Sequence, residues 1–172
     1  GLSIIEDPHR VRTSSSRMFD AEGLATSRRA IVDNGTLTGW TLDLANARKL
    51  GMESTANAVR GTSSPPSPSL SNIALTQGNQ SRAELIAQMG TGLLITSMIG
   101  STINPNTGDY SRGASGFWVE NGEIAFPVHE ITIAGNLKTM FKGIEAIGAD
   151  TYNYGAKTLG SVLINRMKVA GS

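Results

Sequence analysis

The chain has 172 residues, of which 39% are hydrophobic and 17% charged, and this predicts one soluble domain with a core of its own. Its 15 basic and 14 acidic side chains leave a net charge of +1, without the basic surplus typical of nucleic-acid-binding proteins. The absence of cysteine excludes disulfides and thiolate chemistry and favours a reducing, cytoplasmic compartment. No signal peptide is visible, and the longest apolar run, residues 92–100, is far shorter than the roughly 20 residues of a membrane span.

The first part of the chain predicts a hairpin, a short helix and an extended loop. Residues 26–43 have the pattern of two strands joined by a turn at Asp33, Asn34 and Gly35. The helix predicted over Leu44–Leu50 should end at Gly51, because glycine accepts the left-handed conformation of a helix end. Three prolines in residues 61–72 favour an extended surface loop over a central strand or a helix.

The middle of the chain predicts a second helix and a long hairpin. Ser81 and Glu84 form a capping box, so a helix should begin there and end at Gly90 or Gly92. Residues 93–99 are apolar and bounded by glycines, which predicts a buried strand. Residues 104–109 (NPNTGD) predict a compact turn, and Asn121-Gly122 predicts a type I′ turn between FWVE and EIAF.

The last third predicts a strand, a helix and a final strand. Residues 128–134 alternate in character, which places His129 on the apolar face with Ile131 and Ile133. Asn136 should cap a helix that closes at Gly148, since apolar side chains recur at spacings of three and four. Residues 161–169 predict a strand paired inside the sheet. The result is an α+β fold with a predominantly antiparallel sheet, β-hairpins, roughly six to eight strands and about three helices.

The turn-rich segment before the Asn121-Gly122 hairpin contains the candidate residues for binding a peptide or a partner protein. These are Asn104, Thr107, Asp109, Tyr110, Ser111 and Arg112. Asp109 and Arg112 are expected to form an ion pair that pins the loop. In the alternative, Arg112 faces a groove and binds a carboxylate of a peptide or of a partner subunit.

Four stretches carry a family resemblance: NPNTGDYSRGASGFWVENGEIAFPVHEITIAGNL, FDAEGLATSRRAIVDNGTLTGWTLDLANARKLG, PSPSLSN and the terminal VAGS. Together they cover most of the chain, and they resemble the TldD/PmbA family, long called modulators of DNA gyrase and understood as a zinc metallopeptidase system. The match is closest to the PmbA/TldE branch. The resemblance concerns the C-terminal part of these longer proteins, so residues 1–172 are expected to be one C-terminal domain and a fragment of a longer chain.

The resemblance implies zinc chemistry in the family but predicts no catalytic or metal-binding residue in this chain. The catalytic branch has a His-Glu-x-x-x-His helix and a thiolate ligand, whereas here His129-Glu130 is followed by no second His and residues 152–161 contain no Cys. Zinc is therefore expected in a TldD-like catalytic partner subunit, and this chain is expected to associate with that subunit or with itself.

The resemblance further implies a substrate of unfolded or small peptides, as in maturation of peptide antibiotics or degradation of an antitoxin. Neither nucleic acid nor membrane is expected as a partner. Two alternatives stay open. The full-length protein is itself a zinc metallopeptidase with its metal site upstream of Gly1, or it is a binding protein that modulates DNA gyrase.

Overall fold

A computed structural model describes residues 1–171, apart from the side chain of Ser101, as an α+β protein with mostly antiparallel strands. In chain order the elements are β1 (Ile4–Glu6), β2 (Arg29–Asp33), β3 (Thr36–Leu37), α1 (Leu44–Leu50), β4 (Ala58–Val59), β5 (Ser67–Pro68), β6 (Ile73–Leu75), α2 (Arg82–Met89), β7 (Gly92–Ile103), β8 (Asp109–Glu120), β9 (Glu123–Asn136), α3 (Leu137–Lys142), β10 (Ile144–Ile147), β11 (Tyr152–Tyr154), β12 (Lys157–Leu159), β13 (Val162–Ile164) and β14 (Lys168–Ala170). The predicted fold class is confirmed. The strands outnumber the prediction because many of them are only two or three residues long.

The chain folds as two compact units, each assembled from two stretches of sequence. Unit 1 consists of Gly1–Thr76 and Thr151–Leu159. Unit 2 consists of Gln77–Asp150 and the described residues from Gly160 onward. The expectation of a single domain over residues 1–172 stays a prediction.

Unit 1 contains a six-stranded sheet with the order β11-β12-β6-β1-β2-β3. The β2–β3 hairpin turns at Asn34 (φ 48°) and Gly35 (φ 82°), as predicted, but its second strand is only Thr36–Leu37 and does not continue to residue 43. Helix α1 has the predicted bounds and ends at Gly51 (φ 65°). The proline-rich residues form no helix, and Ser67–Pro68 pairs with β4 in a two-stranded sheet.

Unit 2 is built on a four-stranded sheet with the order β14-β9-β8-β7. The long strands β8 and β9 turn at Asn121 (φ 53°) and Gly122 (φ 79°), which confirms the predicted hairpin. Its core comprises Ala114, Ile131 and Ile133, against which Leu93, Ile95 and other apolar side chains pack. Helix α2 begins at the predicted capping box, and Gly90 is its C-cap.

The prediction of a buried strand at residues 93–99 is wrong in its burial. The strand exists and is longer, but Met98 is 45% exposed and Ile99 is 75% exposed. A short apolar run fits a central strand, and it equally fits an edge strand whose apolar side chains pack against another molecule. Leu93 and Ile95 pack on the core, whereas Met98 and Ile99, farther along this edge strand, are left open to solvent.

The helix predicted from Asn136 to Gly148 is too long. Helix α3 ends at Gly143, whose N–H bonds to the carbonyls of Thr139 (2.8 Å) and Met140 (3.1 Å). Ile144–Ile147 then forms strand β10, which pairs with β13. Isoleucines spaced by three fit either element, and β-branching together with a strand partner decides for the sheet.

The single strand predicted over residues 161–169 is two strands. β13 pairs with β10, whereas β14 pairs with β9 and lies at the edge of the four-stranded sheet rather than inside it. Arg166 (φ 63°) separates them with a left-handed residue. Such a residue interrupts the extended conformation, and the chain changes partner there.

The placement of His129 on the apolar face is also wrong. The register shifts between Ala114, which pairs with Ile131, and Gly116, which pairs with Val128. Glu130 (φ 57°) lies in this β-bulge, so the alternation is broken between Val128 and Ile131. Val128 therefore packs on the core with Ile131, and His129 is exposed.

Candidate functional site

The six predicted binding residues lie together in unit 2, in the β7–β8 connection and at the beginning of β8. Asn104 organises the turn, because its side-chain oxygen accepts from the N–H groups of Asn106 (3.0 Å) and Thr107 (3.3 Å). The backbone of Asn104 also bonds to Asp109 (2.9 Å) and Gly108 (2.8 Å). Gly108 has φ 84°, the conformation that the predicted turn requires of a glycine. The compact turn is confirmed.

Asp109 belongs to this turn rather than to an ion pair. Its exposed carboxylate accepts from the Thr107 hydroxyl (2.7 Å) and from the Asn136 amide (3.2 Å). These hydrogen bonds, first that of Thr107 and then that of Asn136, lower the pKa of Asp109. The same Asn136 amide bonds to the Thr107 carbonyl (2.9 Å), which ties the turn to the start of α3.

The ion pair predicted between Asp109 and Arg112 is absent from the described residues, in which the ion pairs are Arg28–Asp7 and Arg29–Glu6. Residues three apart in a strand point to opposite faces of a sheet, so Asp109 and Arg112 cannot converge within β8. The prediction treats residues 109–112 as part of a loop, whereas strand β8 already begins at Asp109.

Arg112 instead shares the core face of the sheet with Tyr110. The Tyr110 ring packs against the core and its hydroxyl donates to the Met98 sulfur (3.4 Å). Arg112 is half-buried opposite Ile133, and its Nε is buried without a hydrogen-bond partner in the described part of the chain. The half-buried guanidinium has no counter-charge among the described residues, so an external carboxylate would stabilise it.

Strand β7 provides an open edge beside Arg112. No strand among residues 1–171 pairs with its outer side, although it is 12 residues long. A β-bulge interrupts its pairing with β8 between Ile99 and Thr102, opposite Arg112, and Gly100 (φ 75°) lies in this bulge. The exposed apolar side chains along the edge are Met98, Ile99 and Ile103. Long apolar edges of this kind are templates for another strand.

Sequence reasoning missed a buried polar network in unit 1. Glu6 is 2% exposed and accepts hydrogen bonds from Arg29 Nε (2.9 Å), Asn57 Nδ2 (2.8 Å) and both the N–H (2.7 Å) and the hydroxyl (3.0 Å) of Ser71. The one signal in the sequence is a carboxylate placed directly after two isoleucines. The partners are 23 to 65 residues away, and no local pattern connects them.

The described residues do not fit the zinc site that the family resemblance implies. No three His, Asp or Glu side chains within residues 1–171 are close enough together to hold a metal ion. His129 and Glu130 lie at the exposed bulge, and the His9 imidazole contacts the Thr26 hydroxyl (3.1 Å). None of the three described helices has the length and apolar character of a membrane span.

The sequence and the fold both match known proteins. The family model of the PmbA/TldA metallopeptidase C-terminal domain matches residues 1–171. The protein called metalloprotease PmbA in Escherichia coli O157:H7 is 45% identical over 170 residues, which are 99% of this chain and 36% of that relative. This chain therefore spans little more than a third of that relative's length.

Two crystal structures share the fold. A Thermotoga maritima protein described as a modulator of DNA gyrase has a TM-score of 0.85 and 36% identity, and the match covers 98% of this chain and 39% of that one. TldE from Thermococcus kodakarensis has a TM-score of 0.87 over 99% of this chain and 40% of its own, but at 22% identity it supports the fold alone. The resemblance noted in the sequence is confirmed, and the chain belongs to the PmbA/TldA metallopeptidase C-terminal domain family.

Proposed function

We propose that this chain acts as the PmbA/TldE-like, non-catalytic subunit of a TldD/TldE-type metallopeptidase complex in the cytoplasm. In this proposal a TldD-like subunit carries the zinc and hydrolyses the peptide bond. This chain holds the unfolded peptide or the partner subunit. The observation that carries the proposal is the open β7 edge beside Arg112, whose Nε is buried without a hydrogen-bond partner among the described residues.

The β7 edge supports the binding of an extended segment. An edge strand presents unpaired N–H and C=O groups to which a peptide adds as a further strand. The backbone then supplies most of the affinity, so peptides of different sequence bind, as a peptidase for unfolded chains requires. The exposed side chains of Met98 and Ile99 would be covered by the added strand, and this burial adds an apolar contribution.

Arg112 supports a preference for a carboxylate near this edge. Its Nε has no partner within residues 1–171, and Asp109, which the sequence suggested, is committed to Thr107 and Asn136. A carboxylate on the peptide or on the partner subunit would form a charge-assisted hydrogen bond with the guanidinium. Asn104 and Thr107 keep the adjoining turn rigid, and Ser111 lies on the opposite face from Arg112.

The donor set of the described residues is compatible with a catalytic centre outside this chain, as the proposal requires. A zinc site in a peptidase needs three protein ligands and an open position for water. The described residues gather no such set. The substrates proposed from the family resemblance are precursors of peptide antibiotics and an antitoxin, both of which present flexible chains.

The test uses a TldD-like subunit from the same organism. The intact protein and this subunit are mixed, and both complex formation and hydrolysis of an unfolded peptide are measured. Ile99→Lys places a charge on the 75% exposed position of the β7 edge, and Val11→Lys is the matched control at an 84% exposed position of unit 1. We expect Ile99→Lys to weaken complex formation or hydrolysis, and Val11→Lys to leave both unchanged.

Three results would contradict the proposal. Equal behaviour of the two lysine variants would remove the role of the β7 edge. Peptide hydrolysis by the intact protein alone, with bound zinc found by metal analysis, would favour the alternative that the full-length protein is an active metallopeptidase. That alternative has support in the name metalloprotease given to the Escherichia coli relative. A retarded complex with duplex DNA that weakens with salt would favour the gyrase-related alternative.

A further inference from the structure

A small hollow on one face of the unit 1 sheet combines an apolar floor with two guanidinium groups. Its volume is about 160 Å³. The floor is formed by Ile5 of β1 and Ala74 of β6, which are register partners on the same sheet face. The polar residues around it are Asp7, Arg10, Arg28, Asn72 and Thr76. None of these residues has a role in the function proposed above.

The chain brings these side chains together through the pairing of β1. Glu6 pairs with Arg29 on one side and with Ile73 on the other. The residue after Glu6 is Asp7, and it therefore lies between Arg28 and Asn72. Arg10 reaches the same place from the following loop, where its Nη1 donates to the Thr158 hydroxyl of β12 (3.0 Å). This bond fixes the Arg10 guanidinium at the rim of the hollow.

The two arginines keep donors for a ligand. Arg28 approaches Asp7 only loosely, with Nε and Oδ2 3.8 Å apart, and the Arg28 side chain is 66% exposed. The other oxygen of Asp7 accepts from the N–H of His9 (2.9 Å). The N–H groups of Arg10 other than the one bound to Thr158 have no partner among residues 1–171. Two guanidinium groups against one carboxylate leave a local excess of positive charge, which suits an anion.

Asn72 lies beneath the arginines and holds the backbone of Asp7 in place. Its side chain is fully buried, and its Nδ2 donates to the Asp7 carbonyl (3.2 Å) and to the Ser16 hydroxyl (2.9 Å). These two bonds fix the orientation of the amide, so the unpaired atom is the oxygen. That Oδ1 is buried without a hydrogen-bond partner in the described part of the chain. Because Asn72 is fully buried, it supports the backbone around Asp7 and does not itself contact a ligand in the hollow.

The hollow is too small for a whole ligand and large enough for the end of one. Pockets for complete small molecules have about 300–1,000 Å³, whereas this hollow holds the equivalent of about five water molecules. We propose that it binds the C-terminal residue of a peptide. The terminal carboxylate lies on Arg10 and Arg28, and the side chain lies over Ile5 and Ala74. This inference rests on the proposed peptide-binding function and adds a preference for a free chain end.

The test compares one short peptide in two forms, with a free C-terminal carboxylate and with a C-terminal amide. Binding to the intact protein is measured by calorimetry at low and high salt, with inorganic phosphate as a third probe. We expect the acid form to bind at least about tenfold more tightly than the amide, and Arg10→Gln and Arg28→Gln to remove this difference. Arg60→Gln removes the same charge from an exposed position of unit 1 outside the hollow and should change nothing.

Arg28→Gln keeps the test informative, because its exposed side chain makes no bond on which the fold depends. Equal binding of the two peptide forms would overturn the carboxylate site and leave the peptide-binding function standing. Binding of neither form would overturn the inference, and complex formation with the catalytic subunit would still test the proposed function separately. Phosphate binding as tight as that of the acid peptide would indicate a general anion site and would also overturn it.

Discussion

Glu6→Ala should destabilise unit 1, because it leaves several buried donors without their acceptor. The carboxylate accepts four hydrogen bonds, from Arg29, from Asn57 and two from Ser71, at distances between 2.7 and 3.0 Å. The Arg29 side chain is only 17% exposed. In the variant its positive charge would stay largely buried without a counter-charge, and the Asn57 and Ser71 donors would lose their partner.

The expected size follows from the burial of the pair. Removing one partner of a buried ion pair destabilises a protein by about 3–5 kcal/mol. That is a large part of the roughly 5–15 kcal/mol by which a domain is stable. For a chain of this length each kcal/mol lowers the melting temperature by about 2–4 °C, so the variant should melt about 6–20 °C below the wild type.

Thermal and urea denaturation of the intact protein measure this effect, with two controls. Arg28→Ala breaks the exposed contact with Asp7 at 3.8 Å and should change stability by less than about 1 kcal/mol. The double variant Glu6→Met, Arg29→Met replaces both charges by apolar groups and should be more stable than Glu6→Ala. A melting temperature of Glu6→Ala within about 2 °C of the wild type would refute the reasoning. So would a double variant that is no more stable than the single one.

Three further predictions concern unit 2. Arg112→Ala should weaken assembly with the catalytic subunit or peptide binding by about tenfold. Its melting temperature should stay near that of the wild type, since the Arg112 Nε has no partner among the described residues. A sharp fall in melting temperature with unchanged assembly would show that the residue has a structural role. Gly122→Val should lower the stability of the protein by about 1–3 kcal/mol, because φ of Gly122 is 79° and the new Cβ would lie 3.0 Å from the Ala87 Cα. Asn121→Gly, which suits the same turn, is the control. Equal melting temperatures of Gly122→Val and the wild type would contradict the turn assignment. The lowered pKa of Asp109 means that its contribution to stability is present above the ordinary Asp pKa of about 3.9 and is lost as the pH falls through the lower folded value. The gap in melting temperature between wild type and Asp109→Asn should therefore narrow from pH 6 to pH 3, and a constant gap would argue against the Thr107 and Asn136 hydrogen bonds as its source.

Elements with local signals were predictable from the sequence. Helix α1 ends at Gly51 and α2 begins at Ser81 because the caps need only residues within one turn. The two Asn-Gly turns require positive φ at adjacent residues, and few other pairs adopt it. The Asn104 turn is local in the same sense and was predictable, whereas the ion-pair partner predicted for Asp109 was wrong.

Features that depend on distant residues were not predictable. The bulge at Glu130 arises from the pairing of β8 with β9, and it reverses the face on which His129 lies. The end of α3 depends on β13, a strand about 20 residues later that recruits Ile144–Ile147 into a sheet. The acceptor role of Glu6 depends on Ser71, 65 residues away, and no period or spacing in the chain links the two.

Unit 1 is assembled from two separate stretches of sequence, and this affects how it folds during synthesis on the ribosome. β6 ends at Leu75, but its parallel neighbour β12 begins only at Lys157, after the whole β7–β9 meander has been translated. Until β12 has been synthesised, one edge of β6 has no strand partner in the nascent chain, and such an edge can pair with other polypeptides. Completion of the first sheet is thus timed by the synthesis of the second, and a product released before Lys157 would be prone to aggregation.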